Sequence, residues 1–283
     1  MSLRQRQEVQ EVPRRELTPE SYASLALEVA TEAGKLLLGG YRKHPSPTEK
    51  ARRDLVTEFD LKSEELIVAR LSAATPELGL IAEEGGGDQK PLTWFCDPLD
   101  GTTNFVHGHP FWAVSIGLLE QGHPVAGAVV APALGLTWTA FQGGSAQRLE
   151  TAAAGGTSQA SEICRVSETS ELERALVATG FPPDRQTAPA NNLDTFVRVK
   201  KVVQGVRRCG SAAIDMCLVA DGTYDAYWER RLNPWDLAAG AALVLSAGGK
   251  LSALDGGAVN LSIGHLIASN GHVHAELQRL IAG

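Results

Sequence analysis

Residues 94–105 read WFCDPLDGTTNF and place two carboxylates, Asp97 and Asp100, on either side of a Pro-Leu pair. The apolar run before Asp97 is typical of a strand, and Gly101 and two threonines follow Asp100 directly. Because Asp, Pro, Gly and Thr are all common in turns, an acidic turn is the simplest interpretation. The segment indicates a function only if other parts of the chain bring further groups to these two acids.

Composition predicts an ordinary globular protein. The chain has 283 residues, 43% of them hydrophobic, with no long uninterrupted apolar run, so we expect no membrane partner. A net charge of -7 argues against a nucleic-acid partner, because surfaces that bind nucleic acids carry a basic excess. The N-terminus lacks the apolar core of a secretory signal. The cysteines form no CxxC pair and no zinc spacing, which favours reduced thiols and a cytoplasmic location; they are Cys96, Cys164, Cys209 and Cys217.

Local signals predict helices first, then a sheet, then alternating helices and strands. Capping residues and helical spacing indicate helices over about residues 18–39 and 58–73. Short apolar runs broken by Gly and Pro predict a mainly antiparallel sheet over 79–141, with a hairpin at 121–123. Residues 143–162 are polar and rich in Ala, Gly and Ser, and within them GSAQ (144–147) and AAAGGTS (152–158) are predicted to be loops.

Five acids follow strand-like runs or open a predicted helix. Glu83 and Glu84 end one apolar run, Asp97 ends another, Asp100 lies in the turn after it, and Asp236 begins a helix. Ligand sites of layered α/β proteins gather at such strand ends and helix starts. Clustered carboxylates repel one another unless protons or cations lie between them, and oxygen-only ligands favour Mg²⁺. Each acid alone is equally well explained as a helix cap or a solvated turn residue.

At this point the sequence resembles the inositol monophosphatase family, within the larger group of Mg-dependent, lithium-sensitive phosphatases. The matching motifs are RDLVTEFD (53–60), IAEEGGG (81–87), DPLDGTTNF (97–105), RRCGSAAID (207–215), DAYWER (225–230) and NPWDLAAG (233–240). The resemblance implies a layered αβαβα sandwich. It divides the chain into a flexible arm over 1–17 and a single phosphatase unit over 18–283. Within that unit, 18–150 form a metal-binding α+β half and 151–283 a substrate-side α/β half.

The resemblance also implies a site with two or three Mg²⁺ ions. Glu83, Asp97 and the backbone carbonyl of Leu99 would hold a first ion. Asp97, Asp100 and Asp236 would hold a second, with Asp97 bridging the pair.

Catalytic and phosphate-binding groups follow from the same motifs. By resemblance, the backbone N–H groups of Gly101 and Thr102 would bind phosphate. Thr102 together with Asp54 would orient or deprotonate the attacking water. The alternatives are a turn hydroxyl for Thr102 and a helix N-cap for Asp54.

Substrate contacts are implied in the second half of the chain. Gly210, Ser211 and Ala212 resemble the family's helix start near the phosphate and polyol, and Glu229 resembles its acceptor for ring hydroxyls. Asp215 is expected to support the site or to cap its own helix.

The implied activity is hydrolysis of inositol monophosphate or a related polyol or sugar phosphate by a cytoplasmic, Mg²⁺-dependent, lithium-sensitive enzyme. The substrate is a small phosphate monoester, and a homodimer is expected. Fructose-1,6-bisphosphate, histidinol phosphate and 3'-phosphoadenosine 5'-phosphate stay open as alternative substrates. A non-catalytic regulatory protein on the same fold is the alternative of a different class.

Overall fold

The computed structural model describes residues 17–43, 45–51, 54–151, 159–188 and 191–283, with the backbone alone for Lys50, Ala51, Asp54, Thr151, Gln159 and Ala160. The arm expected over residues 1–17 lies outside the described residues, apart from Leu17. The described helices are α1 Pro19–Leu38, α2 Glu58–Ala74, α3 Thr102–Val106, α4 Leu193–Lys200, α5 Ala212–Ala220, α6 Pro234–Ser246 and α7 His274–Ala282. The strands are β1 Thr48–Ala51, β2 Asp54–Val56, β3 Gly79–Ala82, β4 Gly86–Asp88, β5 Leu92–Asp100, β6 Ala113–Glu120, β7 His123–Ala131, β8 Leu136–Phe141, β9 Gln147–Thr151, β10 Gln159–Ile163, β11 Leu176–Thr179, β12 Gly205–Arg207, β13 Ala226–Glu229, β14 Lys250–Ser252 and β15 Leu266–Ser269.

These elements stack in five layers. Helices α1 and α2 pack on one face of an eight-stranded sheet of order β10-β9-β8-β7-β6-β5-β3-β4, and α5 and α6 pack on the other. Helices α5 and α6 also contact a five-stranded sheet of order β12-β11-β13-β15-β14. Strands of this sheet form a separate apolar core together with residues of α4 and α7. The succession of helices, sheet, helices, sheet and helices confirms the predicted αβαβα fold.

Alternation along the central strands places side chains in two separate cores. In β5, Trp94 and Cys96 are buried against α1 and α2, whereas Phe95 is buried in the core that contains α5 and α6. Successive strand side chains point to opposite faces, so a strand covered on both faces is apolar throughout. The larger sheet is antiparallel except between β3 and β5, which confirms the predicted antiparallel character.

Helix starts and the hairpin follow the local chemistry predicted for them. The Thr18 hydroxyl accepts the Ser21 N–H at 3.2 Å, and Pro19 occupies the first turn of α1. The hairpin between β6 and β7 turns at Gln121 and Gly122, whose φ angles are 50° and 85°. Two successive positive φ angles are what a type I′ hairpin turn requires.

Helix α6 lies unusually close to the larger sheet. A Cβ on Gly117 would lie 2.4 Å from the Ala239 nitrogen, and one on Gly127 would lie 2.7 Å from the Ala239 Cα. Only glycine at these two strand positions permits that approach. The contact fixes the height of α6 above the sheet, and with it the position of Asp236 in the first turn.

Strands β9 and β10 form within residues 143–162 although the sequence signals do not predict them. The loop predicted over 144–147 is wrong only at Gln147, the first residue of β9, and the loop predicted over 152–158 lies outside the described residues. The two strands pair with each other, and β9 pairs with β8 at the edge of the larger sheet. Arg148 lies opposite Glu162 across the pair and contacts its carboxylate at 3.2 Å. Cross-strand charge pairs replace the apolar alternation that a buried strand would show.

None of the described helices combines the length and the apolar composition that a membrane span needs.

Candidate active site

A break in strand pairing brings Asp97 and Asp100 to the end of β5. The register between β5 and β6 shifts between these two acids, at Pro98 and Leu99. Proline has no N–H to donate to a neighbouring strand, so the ladder is interrupted there. The Leu99 N–H instead donates to Asp97 Oδ1 at 2.9 Å, which holds the Asp97 side chain across the break.

Four acids from three parts of the chain interact electrostatically at this point. Burial raises the pKa of Asp97 well above its ordinary value, and the charges of Glu83, Asp100 and Asp236 raise it further. Burial also raises the pKa of Asp236 well above its ordinary value, with Asp100 and Glu83 contributing. The structure therefore brings together the four carboxylates that the sequence motifs single out.

In Asp97, Asp100 and Asp236, hydrogen bonds hold one of the two carboxylate oxygens in place. Asp100 Oδ2 accepts the Ser211 hydroxyl at 2.6 Å and the Ala213 N–H at 2.7 Å. Asp236 Oδ2 accepts the Asn233 N–H at 2.7 Å, which caps α6. Because Asp100 and Ser211 join the end of β5 to the start of α5, the substrate-side segment predicted from Gly210 to Ala212 lies directly beside the acids.

Among the residues that the structure describes, no group of three or more His, Cys, Asp or Glu side chains forms a metal site. The predicted donor set, four carboxylates and the Leu99 carbonyl, nevertheless has the chemistry that a hard divalent cation requires, because it consists of oxygen atoms alone. Asp97 and Asp236 are buried and repel their neighbours, so a cation between them would remove that repulsion. The residues present fit Mg²⁺ in charge and ligand type.

A hydroxyl–carboxylate pair lies beside the acid cluster. The Thr102 hydroxyl donates to Asp60 Oδ1 at 2.9 Å and also lies 3.1 Å from the Leu99 carbonyl oxygen. Asp60 Oδ2 accepts the Thr57 N–H at 2.8 Å and the Thr57 hydroxyl at 2.6 Å. Burial raises the pKa of Asp60, while these hydrogen bonds oppose the rise.

Among the described side chains, Asp60 is the carboxylate that contacts Thr102. The backbone of Asp54 lies in β2, but its side chain is outside the described residues. The motif RDLVTEFD contains both acids, and the family resemblance assigns the role beside Thr102 to Asp54, which stays a prediction. The signal that could have identified Asp60 is the spacing Thr57-x-x-Asp60, because a capping box orients the N3 carboxylate at a helix start.

The turn that follows Asp100 is held by glycine and asparagine. Gly101 has a φ of 97°, and a Cβ there would lie 3.0 Å from the Phe111 carbonyl oxygen. Asn104, the eighth residue of the motif DPLDGTTNF, donates to the Phe111 carbonyl at 2.6 Å and to the Cys209 carbonyl at 2.8 Å. The turn that follows Asp100 is therefore attached to the segment that leads into α5.

Glu229, at the end of β13, lines a cavity next to the acid cluster. A cavity of about 140 Å³ is lined by Glu229 together with Asp100, Gly210, Ser211, Ala212 and Asp236. The Tyr227 hydroxyl donates to Glu229 Oε2 at 2.5 Å. Burial raises the pKa of Glu229 to about 7, against the opposing effects of Tyr227 and Arg208. A neighbouring cavity of about 430 Å³ is lined by Gly101 and Thr102.

Comparisons with known proteins agree with this geometry. The sequence model of the inositol monophosphatase family matches residues 18–282. Inositol-1-monophosphatase of Synechocystis sp. is 42% identical over 90% of this chain and 88% of its own length. The Nus factor SuhB of Pseudomonas aeruginosa is 39% identical over 87% of this chain and 90% of its own length. The structure of inositol monophosphatase from Anabaena (Nostoc) sp. PCC 7120 superposes with a TM-score of 0.81 at 36% identity, covering 93% of this chain and 96% of that one. This chain belongs to the inositol monophosphatase family, and that membership supports phosphatase activity.

Proposed function

We propose that this protein is a Mg²⁺-dependent phosphomonoesterase that hydrolyses inositol monophosphate or a related polyol or sugar phosphate to the alcohol and inorganic phosphate. The observation that carries the proposal is the electrostatic contact among Glu83, Asp97, Asp100 and Asp236 beside the Thr102–Asp60 pair. An oxygen-only acid cluster beside a hydroxyl–carboxylate pair suits metal-assisted attack of water on a phosphate ester.

In this proposal Glu83, Asp97, the Leu99 carbonyl, Asp100 and Asp236 would hold two or three Mg²⁺ ions. When bound, the ions supply an acidified water and neutralise charge on the phosphoryl group and the departing oxygen. The repulsion among the buried acids of this chain provides the driving force for holding them.

Thr102 and Asp60 would manage the proton of the attacking water. A threonine hydroxyl is a weak base by itself, so Thr102 Oγ1 passes its proton to Asp60 Oδ1 as it accepts one from water. The two hydrogen bonds from Thr57 keep Asp60 in the rotamer that faces Thr102.

The remaining residues would bind and orient the ester. The N–H groups of Gly101 and Thr102 bind phosphate oxygens, and the lack of a side chain at Gly101 allows close approach. The segment Gly210 to Ala212 borders the alcohol, and Glu229 accepts a hydrogen bond from one of its hydroxyl groups.

Phosphate release from a panel of esters tests the proposal. The panel contains inositol 1-phosphate, fructose-1,6-bisphosphate, histidinol phosphate and 3'-phosphoadenosine 5'-phosphate, each measured with Mg²⁺ and with EDTA. We expect release that depends on Mg²⁺ and is fastest for inositol 1-phosphate. A preference for another member would identify that member as the substrate class, and no release from any of them would favour the non-catalytic alternative.

Assembly and inhibition are proposed from the family resemblance. We expect a cytoplasmic homodimer that lithium ions inhibit. Light scattering after size-exclusion chromatography measures the dimer, and a lithium titration of phosphate release measures the inhibition.

A further inference from the structure

Asp215 is a buried carboxyl group in α5 that the proposed reaction does not use. Its side chain is 2% exposed, and Oδ1 has no hydrogen-bond partner among the described residues. Leaving a buried polar atom without a partner costs free energy, so such an atom calls for an explanation. A role as a cap for its own helix does not supply one, because the Ser211 hydroxyl already accepts the Ile214 N–H at 3.2 Å.

The place of Asp215 in the fold supplies the explanation. Asp215 lines the cavity of about 140 Å³ that also contains Glu229 and the proposed metal ligands Asp100 and Asp236. Asp215 and Glu229 both line this cavity, and after burial the charge of Glu229 contributes most to raising the pKa of Asp215. Asp215 therefore borders the space assigned to the alcohol part of the substrate.

The size and chemistry of this space suit a small polyol. A volume of about 140 Å³ holds roughly four or five water molecules at about 30 Å³ each. Two carboxyl groups that line one small cavity require polar partners, and a hydroxyl group can both donate and accept a hydrogen bond. A substrate hydroxyl can therefore hydrogen-bond to Asp215 whether the Asp215 carboxyl group is ionised or protonated. Arg208 lines the same cavity and places a positive charge near both acids.

We propose that Asp215 is a specificity-determining residue that hydrogen-bonds one hydroxyl of the substrate alcohol, beside the hydroxyl bound by Glu229. The assignment rests on the proposed function. It deepens that function by restricting the preferred substrates to phosphates of alcohols that carry at least two further hydroxyl groups.

Matched substrates test the assignment with the full-length protein and saturating Mg²⁺. Inositol 1-phosphate and cyclohexyl phosphate have rings of the same size, but only the first carries further hydroxyl groups. We expect Asp215→Leu to lower kcat/KM for inositol 1-phosphate by roughly tenfold or more. For cyclohexyl phosphate we expect less than a twofold change. Asp215→Asn keeps the shape and a polar group, so it is expected to retain more of the selectivity.

The matched control is Asp221→Asn. Asp221 is the residue after the last turn of the same helix and accepts the Trp138 indole N–H at 3.1 Å, away from the cavity. We expect this variant to leave the ratio of the two kcat/KM values unchanged. If Asp215→Leu fails to fold, the same comparison is made with Asp215→Asn, whose folding is checked by circular dichroism.

Equal losses on both substrates, or no loss on inositol 1-phosphate, would overturn the role of Asp215 while leaving the phosphatase proposal intact. If the unaltered protein hydrolyses neither these esters nor p-nitrophenyl phosphate, the proposed function itself fails, and this assignment fails with it.

Discussion

Thr102 and Asp60 form the hydrogen bond on which the proposed proton transfer depends. The Thr102 hydroxyl reaches Asp60 Oδ1 at 2.9 Å, and Thr57 holds the other carboxylate oxygen. The pair is consequently oriented before any substrate binds. Orientation of this kind is what a weak base such as a hydroxyl needs to accept a proton from water.

Replacing Asp60 by Asn tests this pair. Asparagine keeps the size of the side chain but is a far weaker proton acceptor, so we expect kcat to fall by about 10²- to 10⁴-fold with little change in KM. Steady-state phosphate release measures both constants. Asp54→Asn is the matched comparison and is expected to leave kcat within about threefold of the unaltered enzyme. The reverse order of effects would return the catalytic role to Asp54.

At the scale of single elements, α6 carries Asp236 and rests on two glycines of the larger sheet. The prospective Cβ of Gly127 lies 2.7 Å from Ala239 Cα, a backbone atom that cannot rotate away. Any side chain at this position must lift the helix or bend the strand.

We expect Gly127→Ala to lower the free energy of unfolding by about 1–3 kcal/mol, because overpacking strains the interface. We also expect Gly127→Ala to lower the rate of phosphate release, because the substitution displaces the first turn of α6. Urea unfolding and the activity assay measure the two effects. Gly257→Ala is the control: Gly257 is exposed, and its prospective Cβ first meets the Asp255 side chain at 3.2 Å. A Gly127→Ala protein as stable as the Gly257→Ala protein would contradict the close packing of α6.

Helix α7 is joined to the smaller sheet through His274. Its Nδ1 lies 2.7 Å from the Ser269 hydroxyl, and its Nε2 lies 2.8 Å from the Ser252 hydroxyl. Burial lowers the pKa of His274 to about 4, with Lys250 contributing. The folded protein therefore holds this imidazole neutral at pH values where an unfolded chain would protonate it.

A lowered histidine pKa makes stability depend on pH in a definite direction. The contribution is complete above the unfolded pKa of 6.5 and is lost as the pH falls toward 4. We expect the difference in Tm between the unaltered protein and His274→Gln to shift against the unaltered protein as the pH falls over this range, whatever the other titrating groups do to both proteins. His272→Gln, at an exposed position of the same segment, serves as the control. Parallel Tm profiles for all three proteins would show that His274 does not titrate with folding.

Helices and turns with strong local chemistry were predictable from the sequence. Thr18-Pro19 and Gln121-Gly122 specify their structures within a few residues, so tertiary contacts do not alter them. Strands β9 and β10 were missed because charge pairs at a sheet edge leave no apolar alternation to detect. The contact between Thr102 and Asp60 was missed for a different reason: two acids six positions apart in one motif differ only in the backbone that orients them.

For the molecule as a whole, folding gathers negative charge that the unfolded chain keeps apart. Asp97, Asp236 and Glu229 come from different elements, and burial raises the pKa of each. A raised carboxyl pKa contributes stability that is complete below the unfolded pKa and is lost as the pH rises through the folded pKa. The metal-free protein should therefore become less stable between about pH 4 and pH 8.

Thermal unfolding in EDTA and in Mg²⁺ tests this charge balance. We expect the Tm in EDTA to fall from pH 5 to pH 8. Mg²⁺ should raise the Tm, and by more at pH 8, because a cation stabilises the ionised acids. Asp97→Asn removes one of these charges and should weaken both effects. A Tm that does not respond to Mg²⁺ at pH 8 would mean that the acids are stabilised in another way.

The most direct test is a crystal structure of the protein grown with Mn²⁺, a cation with strong anomalous scattering and the same preference for oxygen ligands. The account predicts at least two anomalous peaks in contact with Asp97, shared with Glu83 on one side and with Asp100 and Asp236 on the other. A well-ordered site with no anomalous peak among these four carboxylates would contradict it.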